Sequence, residues 1–132
     1  MKTVDIKVED EQIYDTYSEK AKNQYSGSLA IKGDNIYLTY KEKQTGVNNV
    51  VKVMGDEVSV TRSGSINGKL EFGKDKVHFT TYVTPFGKMK LEMRTNSIFV
   101  NANEHYVSIK VTYDLYSEEQ KLSENRLVIK AQ

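Results

Sequence analysis

The stretch from Tyr25 to Tyr40, YSGSLAIKGDNIYLTY, decides the fold class of this chain. Apolar side chains recur at every second position on both sides of its centre, at Leu29, Ile31, Ile36 and Leu38. Residues two apart lie on the same face of a β-strand, so this spacing predicts two strands that each bury one face. Gly33-Asp34-Asn35 lies between them and favours a tight turn. The stretch therefore predicts an antiparallel hairpin.

The same alternation recurs along almost the whole chain and predicts about ten short strands. The turns between them are about two to five residues long, too short for a parallel crossover, so we expect an antiparallel meander. A meander of this size has two exposed edges, and closure into an up-and-down barrel removes them. The sequence thus predicts an all-β barrel of about 8–10 strands, with a two-sheet sandwich as the alternative.

Strand parity also predicts which residues form the core. The expected inward residues are Leu29, Ile31, Ile36, Leu38, Val58, Val60, Phe79, Val83, Met89, Leu91, Met93, Val107, Ile109 and Val111. His78 has the opposite parity to Phe79 and is expected on the outer face. Asn67-Gly68 is a strong hairpin signal and predicts a tight turn after a short strand near Ile66. Only the segment from Gln12 to Lys22 lacks alternation, and its polar composition suits a short helix, a lid or a frayed strand.

Composition restricts the class of protein. The chain has 132 residues, which suits a single domain over residues 1–132, and no Pro-rich or Ser/Gly-rich stretch suggests a linker. Its 19 basic and 18 acidic residues leave a net charge of +1, which provides no field for attracting nucleic acid or an anionic membrane. It has no cysteine for a disulfide or a thiolate metal site. The N-terminal MKTVDIKVEDEQ carries acidic residues where a signal peptide has an apolar core, so we expect a cytoplasmic protein.

Two local elements resemble a known family. A strand of alternating apolar residues leads into Arg62-Ser63-Gly64, and the turn Phe86-Gly87 leads into an alternating strand that ends in threonine. In this order and spacing they resemble the YwiB-like family of small bacterial proteins of unknown function. The resemblance covers roughly residues 20–131, and the segment before Glu19 departs from the family pattern. It implies a calycin-like β-barrel, the class that also holds lipocalins and cytosolic fatty-acid-binding proteins, and no established activity.

Arg62 is the strongest candidate for a binding residue. It shares strand parity with Val58 and Val60, which places its guanidinium on the inner face, where a charge needs a partner. It would bind a carboxylate or phosphate in bidentate fashion, by analogy with arginines inside fatty-acid-binding barrels. The alternative is structural: Arg62 lies at a strand end, and its head reaches solvent or pairs with an acidic side chain of a neighbouring strand.

Tyrosines are the second group of candidates. Six of them would line a barrel cavity with hydroxyl groups or serve only as packing residues: Tyr37, Tyr40, Tyr82, Tyr106, Tyr113 and Tyr116. We take Arg62, Tyr82, Tyr113 and Tyr40 as the candidate ligand-binding set. His78 and His105 have no acidic partners at metal-ligand spacing, so no metal or cofactor is predicted. RSGSIN lacks the second glycine of a nucleophile elbow, and no catalytic residue is predicted.

These features lead to two functional hypotheses. The first is a non-enzymatic cytoplasmic module that binds a small amphipathic or anionic ligand inside the barrel, without nucleic-acid or membrane partners. The alternative is a structural or protein-interaction barrel whose interior is filled by side chains and which acts as a homodimer or as a partner subunit. A small enzyme built on Arg62 with Tyr82 or Tyr113 is less favoured, because the sequence contains no assembled acid–base pair.

Overall fold

A computed structural model describes residues 1–132 and contains ten β-strands. They are β1 (Lys2–Ile13), β2 (Ser18–Lys32), β3 (Asn35–Lys41), β4 (Asn48–Met54), β5 (Glu57–Ser63), β6 (Gly68–Phe72), β7 (Val77–Thr84), β8 (Gly87–Ala102), β9 (Val107–Ser117) and β10 (Gln120–Ala131). The structure contains no helix that could span a membrane.

The strands form one antiparallel sheet that closes almost completely. Each strand pairs with the next along the chain, and β10 also pairs with β1, which brings the two chain ends side by side. The exception is the boundary between β6 and β7, which we call the seam, where Asn67 and Val83 form an isolated bridge through backbone hydrogen bonds of 2.9 and 2.7 Å. The predicted all-β antiparallel barrel is therefore confirmed, and the two-sheet sandwich is wrong.

One end of the barrel is filled by apolar side chains, and we call it the apolar half. Its largest fully buried members are Ile6, Leu38, Val51, Phe72, Val107, Ile109 and Ile129. They come from alternate positions of six strands, as the period of two requires. Burial of a branched or aromatic side chain contributes about 1.5–3 kcal/mol, so this half supplies most of the free energy that holds the barrel closed.

Two tight turns at this end explain the hairpins read from the sequence. Gly33 connects β2 to β3 and Gly55 connects β4 to β5, with φ of 63° and 64°. A two-residue hairpin turn needs a left-handed residue at this point, and glycine adopts that conformation without steric cost.

Of the three structures expected for the segment from Gln12 to Lys22, the structure shows the strand. The segment is neither a helix nor a lid, because β1 continues to Ile13 and β2 begins at Ser18, and these two residues pair with each other. The side chains of β2 from Ser18 to Gln24 are exposed on both faces, since this hairpin extends beyond the packed core to the open end of the barrel. Polar residues therefore occupy both parities, which removes the alternation while the backbone ladder persists.

Strand β7 turns the opposite face inward from the one that its apolar residues predict. Phe79 is 73% exposed and Val83 also faces outward, whereas His78 points inward, opposite to the sequence prediction. The candidate cavity residue Tyr82 shares the inner face with His78 and is buried. Residues that favour strands occupy both faces of β7, so the apolar character of one face does not show which face is buried. Of the remaining expected core residues, Ile31 and Met89 are exposed, because they lie at the ends of their strands.

Two local features differ from the expected hairpins. The runs at Met89–Met93 and at Ile98–Ala102 belong to a single 16-residue strand, β8, with an irregularity between Thr95 and Ser97. An extra residue there acts as a β-bulge: inward residues have odd numbers before it and even numbers after it. The alternation in the sequence is therefore interrupted, although the strand is continuous. Asn67-Gly68 is not a two-residue hairpin: Asn67 holds the turn by donating to the Gly64 carbonyl at 2.9 Å and pairs across the seam.

Two methionines on the inward parity of β8 test the packing assignment. Met93 is fully buried and Met89 is 47% exposed. We expect Met93→Ala to lower the free energy of unfolding by about 2–5 kcal/mol, because it removes core atoms and leaves a cavity. Met89→Ala should cost less than about 1 kcal/mol. Urea unfolding of both variants measures the difference, and equal losses would contradict the packing described here.

Candidate functional site

The other end of the barrel interior is polar, and we call it the polar half. Polar and aromatic side chains from several strands point inward at this end of the barrel. They are Asp10, Tyr25, Tyr40, Glu42, Asn49, Arg62, Tyr82, Tyr113 and Asn125. The register places Asn49 opposite Tyr40 on one side and opposite Arg62 on the other. Three neighbouring strands thus contribute one continuous polar row.

An ion pair lies at the centre of this row. The Nη2 atom of Arg62 donates to the Oε2 atom of Glu42 at 2.8 Å, and Asn49 Nδ2 donates to the same oxygen at 2.8 Å. Thr45 donates to the other carboxylate oxygen at 3.3 Å. The two charged side chains are 24% and 17% exposed, so solvent screens them only in part. The charge of Arg62 is therefore already balanced by a protein carboxylate.

The surroundings shift the pKa of both partners. Burial alone would raise the pKa of Glu42, but the hydrogen bonds from Asn49 and Arg62 outweigh it and lower that pKa. Burial alone would lower the pKa of Arg62, but Glu42 outweighs it and raises that pKa. Both shifts favour the charged forms, so the pair is ionised at neutral pH.

Tyr82 reaches this pair from the far side of the seam. A β-carbon at Gly68, which pairs with Arg62, would lie 2.2 Å from the Tyr82 ring, so only glycine leaves room for the ring there. Burial raises the pKa of the Tyr82 hydroxyl, and the nearby Arg62 opposes that rise. The phenol therefore stays protonated beside the guanidinium.

The other two predicted tyrosines are also inside. Tyr40 is buried and stacks on Tyr25 with ring centroids 4.8 Å apart, and Tyr113 is buried and tilts against Phe72 at 4.7 Å. Burial strongly raises the pKa of both Tyr40 and Tyr113. The structure thus brings all four predicted residues into one half of the barrel, although Tyr113 packs on the apolar half.

A cavity of about 160 Å³ lies in the polar half. Its lining includes Tyr25, Tyr40, Glu42, Arg62 and Asp10, together with apolar residues such as Val60 and Leu127. Tyr82 and Tyr113 do not line it. One carboxylate oxygen of Asp10, Oδ1, is buried without a hydrogen-bond partner. The cavity therefore combines an apolar wall with charged and aromatic groups.

Sequence reasoning missed Asp10, Glu42, Asn49 and Tyr25. A signal for all four was present: Asp10 continues the inward parity of Val8, Glu42 that of Tyr40, Asn49 that of Val51 and Tyr25 that of Leu29. Parity alone does not tell a carboxylate on the inner face from one that lies beyond the end of the strand, so apolar alternation does not single these residues out.

The family model described as "Domain of unknown function (DUF1934)" matches residues 6–129 of this chain. The chain belongs to the DUF1934 family. The match begins within β1, so it includes the segment before Glu19 that the sequence analysis set apart.

The chain is also similar to individual proteins of known sequence and structure. The chain is 29% identical over 106 residues to the "Uncharacterized beta-barrel protein YwiB" of Bacillus subtilis (strain 168), covering 78% of this chain and 75% of that protein. The crystal structure of the ywiB protein from Bacillus subtilis superimposes with a TM-score of 0.88 at 25% identity, over 98% of this chain and 90% of the other. The resemblance to YwiB-like proteins is confirmed.

The ion pair can be tested with a double-mutant cycle. We expect Arg62→Met to lower the free energy of unfolding because it leaves Glu42 half-buried without its cationic partner. In combination with Glu42→Gln, the coupling between the two positions should be about 1–3 kcal/mol at pH 7. Denaturant unfolding of the four proteins measures this coupling, and additive losses would show that the pair contributes nothing to stability.

The pH dependence of the same pair follows from the lowered pKa of Glu42. A carboxyl whose pKa is lower in the folded state than in the unfolded state stabilises the fold above its ordinary pKa of about 4.3. That contribution is lost as the pH falls through the folded value. The stability difference between the natural protein and Glu42→Gln should therefore shrink towards low pH, and an undiminished difference would contradict the assignment.

Proposed function

We propose that this chain is a non-enzymatic binding barrel that holds one small polar molecule in its polar half. The observation that carries the proposal is the cavity of about 160 Å³, lined by both apolar residues and the charged groups Asp10, Glu42 and Arg62. Binding sites for small molecules commonly combine an apolar wall with a few polar groups that fix orientation.

The volume of the cavity limits the ligand. At roughly 15–30 Å³ for each water-sized group, the cavity accommodates on the order of five to ten non-hydrogen atoms. A long acyl chain does not fit, because the apolar half is filled by Phe72, Leu38 and their neighbours. This favours a small metabolite over the amphipathic ligand that the sequence suggested.

The ion pair changes the role first expected of Arg62. Its guanidinium is neutralised by Glu42 at 2.8 Å, so an anionic ligand would have to displace that carboxylate. Removing one partner of a half-buried pair leaves the other without compensation, which is costly. The pair is thus better suited to shaping the cavity wall than to binding an anion.

The same groups support a role in binding rather than catalysis. A general base requires a pKa near the working pH. The tyrosines of the polar half have raised pKa values and Glu42 has a lowered one, which moves each of them away from neutral pH. Burial raises the pKa of Asp10, but its buried oxygen makes no hydrogen bond to a side chain that could act with it as an acid–base pair.

One observation favours the alternative, a protein-interaction barrel. The outer face of β7 exposes Val77, Phe79 and Val83 beside the incompletely paired seam. Contiguous exposed apolar residues often mark a contact surface. On this reading the barrel is a dimer or a partner subunit, and its interior only supports the fold.

Two adjacent residues of β2 distinguish the candidates. Ala21 lines the cavity, whereas Lys22 has the opposite parity and pairs with Glu9 on the outer face. We expect native mass spectrometry of the purified protein to show a bound small molecule, which Ala21→Phe removes by filling the cavity and Lys22→Phe leaves in place. A dimer mass without bound molecules in all three proteins would instead favour the interaction barrel.

A further inference from the structure

One carboxylate of the polar half lacks a partner. The Oδ1 atom of Asp10 is buried and makes no hydrogen bond, although the residue lines the cavity. Burial raises the pKa of this carboxyl, and the positive charge of Arg62 opposes the rise only in part. A buried charged acceptor without a donor is unfavourable. The fold therefore holds Asp10 at a cost that a bound donor would offset.

The other charges around the cavity are already matched. Arg62 donates to Glu42, and Asn49 and Thr45 donate to the same carboxylate. Two carboxylates and one guanidinium line the cavity, so its ionised lining has a net charge of −1. The unmatched charge is that of Asp10. A cation therefore complements this lining, and an anion does not.

Aromatic rings lie in the same wall. Tyr25 and Tyr40 both line the cavity and stack with their planes 20° apart. The faces of aromatic rings attract cations through the ring quadrupole. An unmatched carboxylate and aromatic rings in one small cavity both favour the same ligand chemistry.

We propose that the molecule held in the polar half carries a protonated amine that binds the Asp10 carboxylate beside the Tyr25–Tyr40 pair. This inference rests on the proposed function and names its ligand class: a small organic cation of on the order of five to ten non-hydrogen atoms. The carboxylate torsion of an aspartate is broad and two-fold, so either oxygen of Asp10 can turn towards the amine.

The first experiment compares three probes that share a propyl-sized carbon chain and differ in charge: propylammonium, propionate and 1-propanol. Each is titrated at pH 7 and matched ionic strength into the ¹⁵N-labelled protein, and backbone amide shifts are followed. We expect propylammonium to shift the amides of Asp10, Ala21 and Tyr25 with a dissociation constant of roughly 1–100 mM, the range for so few atoms. Propionate and 1-propanol should bind at least about 10-fold more weakly.

Two carboxylates of β1 provide a matched pair of variants. Asp10 faces the cavity, and the adjacent Glu9 is exposed on the outer face. Asp10→Asn and Glu9→Gln change the net charge equally. We expect Asp10→Asn to weaken propylammonium binding by about 10-fold or more, the effect of losing a charge-assisted hydrogen bond. Glu9→Gln should change it less than about 2-fold, because a solvent-exposed charge is screened.

A third readout requires no ligand. Asp10→Asn removes a desolvated charge, so we expect it to unfold at the same or a higher urea concentration than the natural protein. A lower midpoint would show that the carboxylate supports the fold and would overturn the inference. The inference would also be overturned if Asp10→Asn left propylammonium binding unchanged, or if Glu9→Gln weakened that binding as much as Asp10→Asn does.

The remaining outcomes separate this inference from the proposed function. If propionate or 1-propanol perturbs the cavity residues more strongly than propylammonium, the binding barrel stands and the amine assignment is wrong. If none of the three shifts the amides of the cavity residues, and Ala21→Phe leaves the mass spectrum unchanged, both proposals are wrong.

Discussion

The pairing of the first strand with the last one is the constraint on which the rest of the structure depends. The backbone groups of Asp5 and Gln132 exchange two hydrogen bonds of 3.0 Å, and the ladder between β1 and β10 continues from there to Ile13. Without this contact, the edges of β1 and β10 would be exposed in addition to those of β6 and β7, which meet at the seam. With it, ten strands enclose one interior, and the number of strands sets the width that the inward residues must fill.

The two halves of that interior are filled by different means. In the apolar half, branched and aromatic side chains pack together in one buried cluster. In the polar half, the Arg62–Glu42 pair and the stacked Tyr25–Tyr40 rings span the interior with long side chains, and a cavity remains between them. The packed half thus offsets the free energy that the charged half costs, which is why charges can be retained inside so small a domain.

The sequence predicted the fold more completely than the site, for a physical reason. Alternation and turn residues are local signals, so the hairpin around Gly33 and the inward position of Arg62 could be inferred from a few neighbours. The contact between Arg62 and Glu42 joins β5 to the end of β3, across the intervening β4, and depends on register and barrel curvature. The inner face of β7 does not follow from its own residues, because Tyr82 fills space that Gly68, on another strand, leaves open.

The seam and the polar half are physically linked. The backbone ladder is nearly absent between β6 and β7, and side chains take its place: Thr80 accepts from the Lys69 amide at 3.4 Å, and Tyr82 lies against Gly68. Tyr82 also neighbours Arg62, whose partner Glu42 lines the cavity. A widening of the seam would move Tyr82 away from the ion pair, so the weakest edge of the barrel and the charged wall of its cavity share one side chain.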